Sequence, residues 1–189
     1  MALGIDFGYE SLKMVSLEND QDKYIIQNIG RMPIYDQLSR FDPEGIEKSQ
    51  WVGAIQNLCK QFNINPKKAK QIVSSIGGTN LSVKQLTILE MSTEELDQSL
   101  EFEAKKHIPL DGTEAIIDYH ILGQHPTELD KINVLLIATT KNIVSQHNEI
   151  LIESGIKQCV FDADPIALVN SYLHNYEQPD EGVDVILNV

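Results

Sequence analysis

Two hydrophobic rhythms alternate along this chain, and the places where one gives way to the other mark its elements. Leu3 to Phe7 is a short apolar run, Lys13 to Leu17 alternates, and Tyr24 to Ile29 resumes after the polar turn Asn19-Asp20-Gln21-Asp22. A period of two between turn residues predicts strands, and Gly8-Tyr9-Glu10 supplies the first turn, so this stretch reads as a three-stranded meander. Trp51, Ile55, Leu58 and Phe62 then recur at helical spacing, and Asn63-Ile64-Asn65-Pro66 ends that helix.

The rhythm changes again downstream. Gln71 to Ile76 predicts a strand closed by Gly77-Gly78, and Leu81 to Leu89 alternates. Ser92-Thr93-Glu94-Glu95 fits a capping box, in which the Ser hydroxyl and the Glu carboxylate each satisfy an orphan amide. Leu96, Leu100 and Ala104 form the apolar stripe of the helix it starts, and Pro109 stops it. Ala115 to Leu122 and Ile132 to Thr139 predict two strands joined by a polar turn containing Pro126. A helix carrying Ile143, His147, Ile150 and Leu151 follows, with Gly155 as its C-cap. Cys159-Val160-Phe161 predicts a strand leading to Asp164-Pro165, an N-cap and first-turn Pro for a helix through Tyr172. The acidic turn Glu177 to Gly182 precedes a last predicted strand, Val183 to Leu187. Strands and helices in this order predict a mixed α/β or α+β fold, with the middle of the chain inserted into an outer subdomain.

Composition narrows the function classes. At 189 residues, 42% hydrophobic and 23% charged, the chain is long enough to bury a real core. Its net charge of −13 repels a phosphate backbone or an anionic lipid surface, which argues against nucleic acid and direct membrane adsorption. The densest basic cluster, Lys67-Lys68-Ala69-Lys70, follows Pro66 and reads as a solvated turn. No secretory signal is visible at the start, and the longest apolar run, Val134 to Ala138, is too short to cross a bilayer. Cys59 and Cys159 each fall in an apolar-periodic stretch, which predicts two buried thiols in a reducing compartment. There is no Walker A sequence, and the histidines show no ligand spacing; His107 and His147 fall on helix faces as partly buried residues.

The chemistry-bearing candidate is the first hairpin, with Asp6 and Gly8 at its turn and Lys13 on the second strand. An Asp and a Gly there serve any hairpin, because Gly tolerates positive φ and Asp bonds local amides. Their context carries a second reading. Gly4-Ile5-Asp6-Phe7-Gly8 with Ser11-Leu12-Lys13 resembles the first phosphate hairpin of the actin/Hsp70-type ATPase fold. Val73 to Gly78, Met91 to Leu96, Glu103 to Leu110, Ile117 to Gly123, Val134 to Thr139, Glu153 to Ile156 and Phe161 to Leu168 resemble, in order, the PilM family of type IV pilus assembly proteins. The inserted position also occurs in the cell-division protein FtsA, but these segments are more similar to PilM.

The resemblance implies an actin-like (ribonuclease H-like) first lobe with an inserted FtsA/PilM-type β-α-β-β-α subdomain. It implies an outer subdomain over residues 1–84 plus 159–189 and an inserted one over 85–158. It implies ATP with Mg²⁺ as cofactor: Asp6 as a water-mediated Mg²⁺ contact, Lys13 as a phosphate contact, Gly8 at the turn and Ser11 as a substitute hydroxyl. Two departures lower that expectation to weak or absent ATP binding by this chain. Tyr9 and Glu10 stand where small residues are usual, and a carboxylate a few ångströms from a triphosphate costs on the order of a kcal/mol. Val183 to Val189 resembles the strand entering the second phosphate hairpin, so the other phosphate loop and the adenosine pocket are expected in a second lobe. The chain is then either a fragment of a longer protein or a naturally short relative.

Three functions follow from the resemblance. The first is a cytoplasmic scaffold or adaptor of a type IV pilus inner-membrane platform, held at the membrane by the N-terminal peptide of a PilN-like membrane protein. The second is an actin-fold ATPase or nucleotide-binding regulator, and the third a GspL-like cytoplasmic component of type II secretion. For the first, chain crossings near Gln85–Ile88 and Val160–Asp164 suggest a groove, with Gln85, Leu86, Ile88, Val160, Asp162 and Asp164 as partner-binding residues. Asp162 and Asp164 also bracket a strand end, where capping accounts for Asp164. Self-association stays open.

Overall fold

The computed structural model describes residues 1–189 except 22, 36–45, 70, 107–113, 180 and 188–189. The expectations for Asp22, Lys70, His107, Pro109, Asn188 and Val189 fall outside the described residues. The chain forms two compact units, Met1–Ile76 with Asn148–Val189, and Gly77–His147.

In the first unit the meander forms as its period predicts: β1 (Ala2–Phe7), β2 (Ser11–Asp20) and β3 (Lys23–Pro33) pair antiparallel. After α1 (Lys48–Gln61), β4 (Gln71–Ile76) joins β1 in parallel, and β8 (Val160–Ala163) joins β4 in parallel. The sheet order is β3-β2-β1-β4-β8, with only β2 running against the others. One face is closed by α1. Leu3, Ile5, Leu12, Met14 and Ile72 meet Ala54, Ile55, Leu58 and Cys59, and Phe7 packs edge-on against Trp51 with ring centroids 5.2 Å apart. Gly30 admits that approach: a Cβ there would come within 2.7 Å of Phe62 Cζ and 2.9 Å of Leu58 Cδ2. Asn63, with a positive φ of 54°, turns the chain out of α1, and Ile64 N–H donates to the Cys59 carbonyl at 2.8 Å. α4 (Asp164–Asn175) leaves the end of β8 on the opposite face, and its His174 ring reaches Tyr24 at the start of β3, 4.9 Å between centroids.

The second unit is a three-stranded antiparallel sheet, β5 (Ser82–Leu89), β7 (Lys131–Thr140) and β6 (Ala115–Gln124), in that order. On one face α2 (Thr93–Ala104) sets Leu96, Leu100 and Ala104 against Ile132, Val134, Leu136 and Ala138. The capping box is formed: Ser92 Oγ accepts from Glu95 N–H, and Ser92 N–H donates to Glu95 Oε2 at 3.1 Å.

Three expectations are corrected. The strand predicted at Val183 to Leu187 does not form among the described residues; the fifth place in the large sheet is taken by β8. Val183 and Leu187 are exposed, so their alternation finds no neighbouring strand to bond. The helix that the resemblance places in the inserted subdomain, α3 (Lys141–Glu153), instead gives Ile150 and Leu151 to the first unit's core, while its earlier apolar residues Ile143 and Val144 are only partly buried. Gly155, φ +93°, ends it as expected, with Ile156 N–H donating to the Leu151 carbonyl at 2.9 Å. Third, Asp164 is not an N-cap: β8 runs straight into α4, Ala163 holds the cap position and no side chain caps it.

Candidate functional site

The hairpin residues are brought together by strand register. Asp6 lies opposite Lys13, and Lys13 opposite Arg31, so all three sit on the α4 side of the sheet. Lys13 Nζ lies 2.8 Å from Asp6 Oδ2, in a pair whose side chains are about half exposed. At the turn, Arg31 Nη2 pairs with Glu10 Oε2 at 3.2 Å, and Arg31 Nε donates to Ser11 Oγ at 2.7 Å. Gly8 is needed for closeness rather than for positive φ, since a Cβ there would meet the Ser11 carbonyl at 3.0 Å and Lys13 Nζ at 3.4 Å.

These contacts decide how well a nucleotide phosphate with Mg²⁺ fits. Lys13 and Asp6 are placed to meet a phosphate and a hydrated cation, but each already neutralises the other. Ser11 is 2% exposed and its hydroxyl is held by Arg31, so it offers nothing outward. Glu10 remains a carboxylate at the turn, countered by an exposed arginine pair of small worth. Among the described residues no three His, Cys, Asp or Glu side chains gather to hold a metal ion. Of the hairpin residues, Asp6 and Lys13 thus present charged groups outward that could meet such a group, while Ser11 lies buried with its hydroxyl accepting from Arg31. Arg31 is the residue that sequence reasoning missed. Counting register along the meander would have placed it beside Lys13.

The residues assigned to a partner fall on two strand edges. β8 is the outer strand of the large sheet; Val160 is 63% exposed, and Asp162 and Val160 point to the α4 side with Val73 and Ser75. Asp162 Oδ1 accepts from Ala163 N–H at 2.7 Å and has no cation beside it among the described residues. Asp164 begins α4 beside it. β5 is an outer strand of the small sheet. There Leu86 and Ile88 pack toward α2, which leaves Gln85 on the other face. Cys59 is buried and Cys159 half-buried, both as free thiols. Burial pushes both upward, Cys159 to about 11, so neither is a ready nucleophile. No helix among the described residues is long and apolar enough to cross a membrane.

A five-stranded mixed sheet in this order, with a β-α-β-β-α segment between its fourth and fifth strands, defines an actin-like fold. The family model described as type IV pilus assembly protein PilM matches residues 4–189, and the chain belongs to that family. Its structure is similar to a chain of the PilM-PilN type IV pilus biogenesis complex, with TM-score 0.70 and 19% identity over 89% of this chain and 49% of that one. It is also similar to the cytoplasmic domain of EpsL, an inner membrane component of the type II secretion system of Vibrio cholerae. There the TM-score is 0.55 and the identity 12% over 96% of this chain and 61% of that one. This chain thus spans about half the length of the matched pilus protein.

Proposed function

We propose that this protein acts as a cytoplasmic adaptor in a type IV pilus inner-membrane platform, where it takes up the N-terminal peptide of a PilN-like membrane protein. Membership of the PilM family carries the reading, and the likeness to a chain solved with PilN supports it. An acidic protein reaching the membrane through a protein partner also suits a net charge of −13.

In this reading the peptide docks along the free edge of β8. An extended peptide can add main-chain hydrogen bonds to such an edge while its alternate side chains meet Val160 and Asp162. Asp162 and Asp164 then favour a basic or amide-bearing residue. Amide shifts during titration with a PilN-type N-terminal peptide test this directly. Shifts clustered at residues 159–164 are expected; shifts confined to Tyr9–Lys13, or none at millimolar peptide, would remove the reading.

Nucleotide binding is the second reading, favoured by the Asp6–Lys13 pair at the hairpin. That pair and the buried Ser11 support weak Mg·ATP binding at most by these 189 residues. A role resembling that of EpsL is separated from the first reading by partner: it predicts no preference for the PilN-type peptide.

A further inference from the structure

Among the described residues β3 and β8 are the outer strands of the large sheet, and β5 and β6 those of the small one. Bulges, lysines, prolines and short length keep a further strand from pairing at an edge. β3 carries Lys23, Pro33 and a register shift opposite Ser16/Leu17. Lys84 lies on β5, and β8 is four residues long. Between Ala115 and Ile121 β6 has none of these; its first irregularity comes at Ile121/Gly123. Asp118, His120 and Ile121 on it are exposed.

The register shows which groups that edge offers. Lys141 N–H donates to the Glu114 carbonyl at 2.9 Å, and these two residues continue the register of β6 on β7. Residues bonded to β7 then alternate through Ile116, Asp118 and His120, so Ile117, Tyr119 and Ile121 turn their N–H and C=O groups outward. Tyr119 N–H accordingly meets a side chain, Asp118 Oδ1, at 2.8 Å. Laid antiparallel against itself with Tyr119 on a two-fold axis, this edge is its own complement. Tyr119 faces Tyr119 and Ile117 faces Ile121 on the α2 side, and Asp118 faces His120 on the other. The apolar pairs fall on the residues with outward backbone groups, so side chains and main chain select the same register. Moving the axis to Ile117 or Ile121 sets Asp118 against Ile116 or His120 against Leu122, and moving it to Asp118 opposes two carboxylates.

We propose that β6 pairs with β6 of a second copy of this chain, joining two small sheets through a two-fold axis at Tyr119. The stretch 117–121 buries less than the roughly 1,200–2,000 Å² of a stable complex, and a net charge of −13 on each copy opposes approach. The dimer is therefore weak, with a dissociation constant on the order of 0.1–1 mM, and it tightens as salt screens the repulsion. This edge lies wholly in the second unit and needs no peptide, so it stands or falls apart from the adaptor reading.

Sedimentation velocity of the whole 189-residue chain up to about 1 mM, with amide spectra of dilute and concentrated samples, is the test. A monomer–dimer equilibrium strengthened by salt is expected, with concentration-dependent shifts centred on residues 117–121. Asp118→Lys sets a cation against His120 and should weaken the dimer by about fivefold or more. Adding His120→Asp to it exchanges the pair and should restore the dimer. Ile121→Pro removes an outward donor, leaves the bonds to β7 in place, and should weaken the dimer by about tenfold. The proposal is overturned by a chain that stays monomeric at millimolar concentration, or by a dimer whose shifts avoid residues 117–121. Asp118→Lys or Ile121→Pro dimerising as wild type, or no recovery in the exchanged double variant, would equally remove it.

Discussion

The large sheet has one face packed into the core and one that, among the described residues, α4 covers only in part, and the contrast separates stability from candidate chemistry. On the α1 side Ile55, Leu58 and Leu12 are wholly buried and every strand contributes to one core. On the α4 side the same strands carry Asp6, Lys13, Arg31 and Asp162 among half-covered aliphatics. Because side chains alternate across a strand, one sequence serves both purposes at once, and a substitution acts on one or the other according to its parity.

Urea unfolding of paired variants is the way to break this contrast. Ile55→Ala removes a fully buried side chain and should cost about 2–5 kcal/mol; a cost below about 1 kcal/mol would mean the α1 face is not the core. Gly30→Ala forces Phe62 and Leu58 to shift and should cost about 1–3 kcal/mol, with the loss reduced when Phe62 is also made Leu. In the second unit, Ser92→Ala removes a helix cap and should cost about 1 kcal/mol. The cap also carries a pH signature. The hydrogen bonds from Ser92 hold Glu95 below its ordinary 4.5, so the stabilisation is present above that value and fades as pH falls through the lowered one. Glu95→Gln should flatten that part of the acid limb in a pH series. Val73→Ser, on the open face, should change stability by no more than about 0.5 kcal/mol, and a core-sized loss there would close the gap between the faces.

Much of this was legible in local pattern. The meander, α1, the Ser92 box and the Gly155 stop follow from period and end signals, which depend on neighbours in sequence. What escaped depends on neighbours in space. Val183 to Leu187 has the alternation of a strand but no strand beside it, and the Ile150–Leu151 pair chose a core that periodicity does not name. Asp164 read as a cap because Asp-Pro so often is one, yet the backbone of β8 enters α4 one residue earlier. The hairpin was found by its residue types, whereas the engagement of Ser11 and Glu10 by Arg31 needed the register of β2 on β3. Asp162 was singled out from its position at a strand end, and the face it shares with Val73 and Ser75 needed the pairing of β8 on β4.

Calorimetric titration of a PilN-type N-terminal peptide and, separately, of Mg·ATP into this chain tests the central claim most directly. The account predicts saturable heat with the peptide, weakened when Val160 and Asp162 are replaced by Ser and Asn, and no micromolar binding of Mg·ATP. Micromolar Mg·ATP affinity lost in Lys13→Ala, with no heat from the peptide at millimolar concentration, would contradict it.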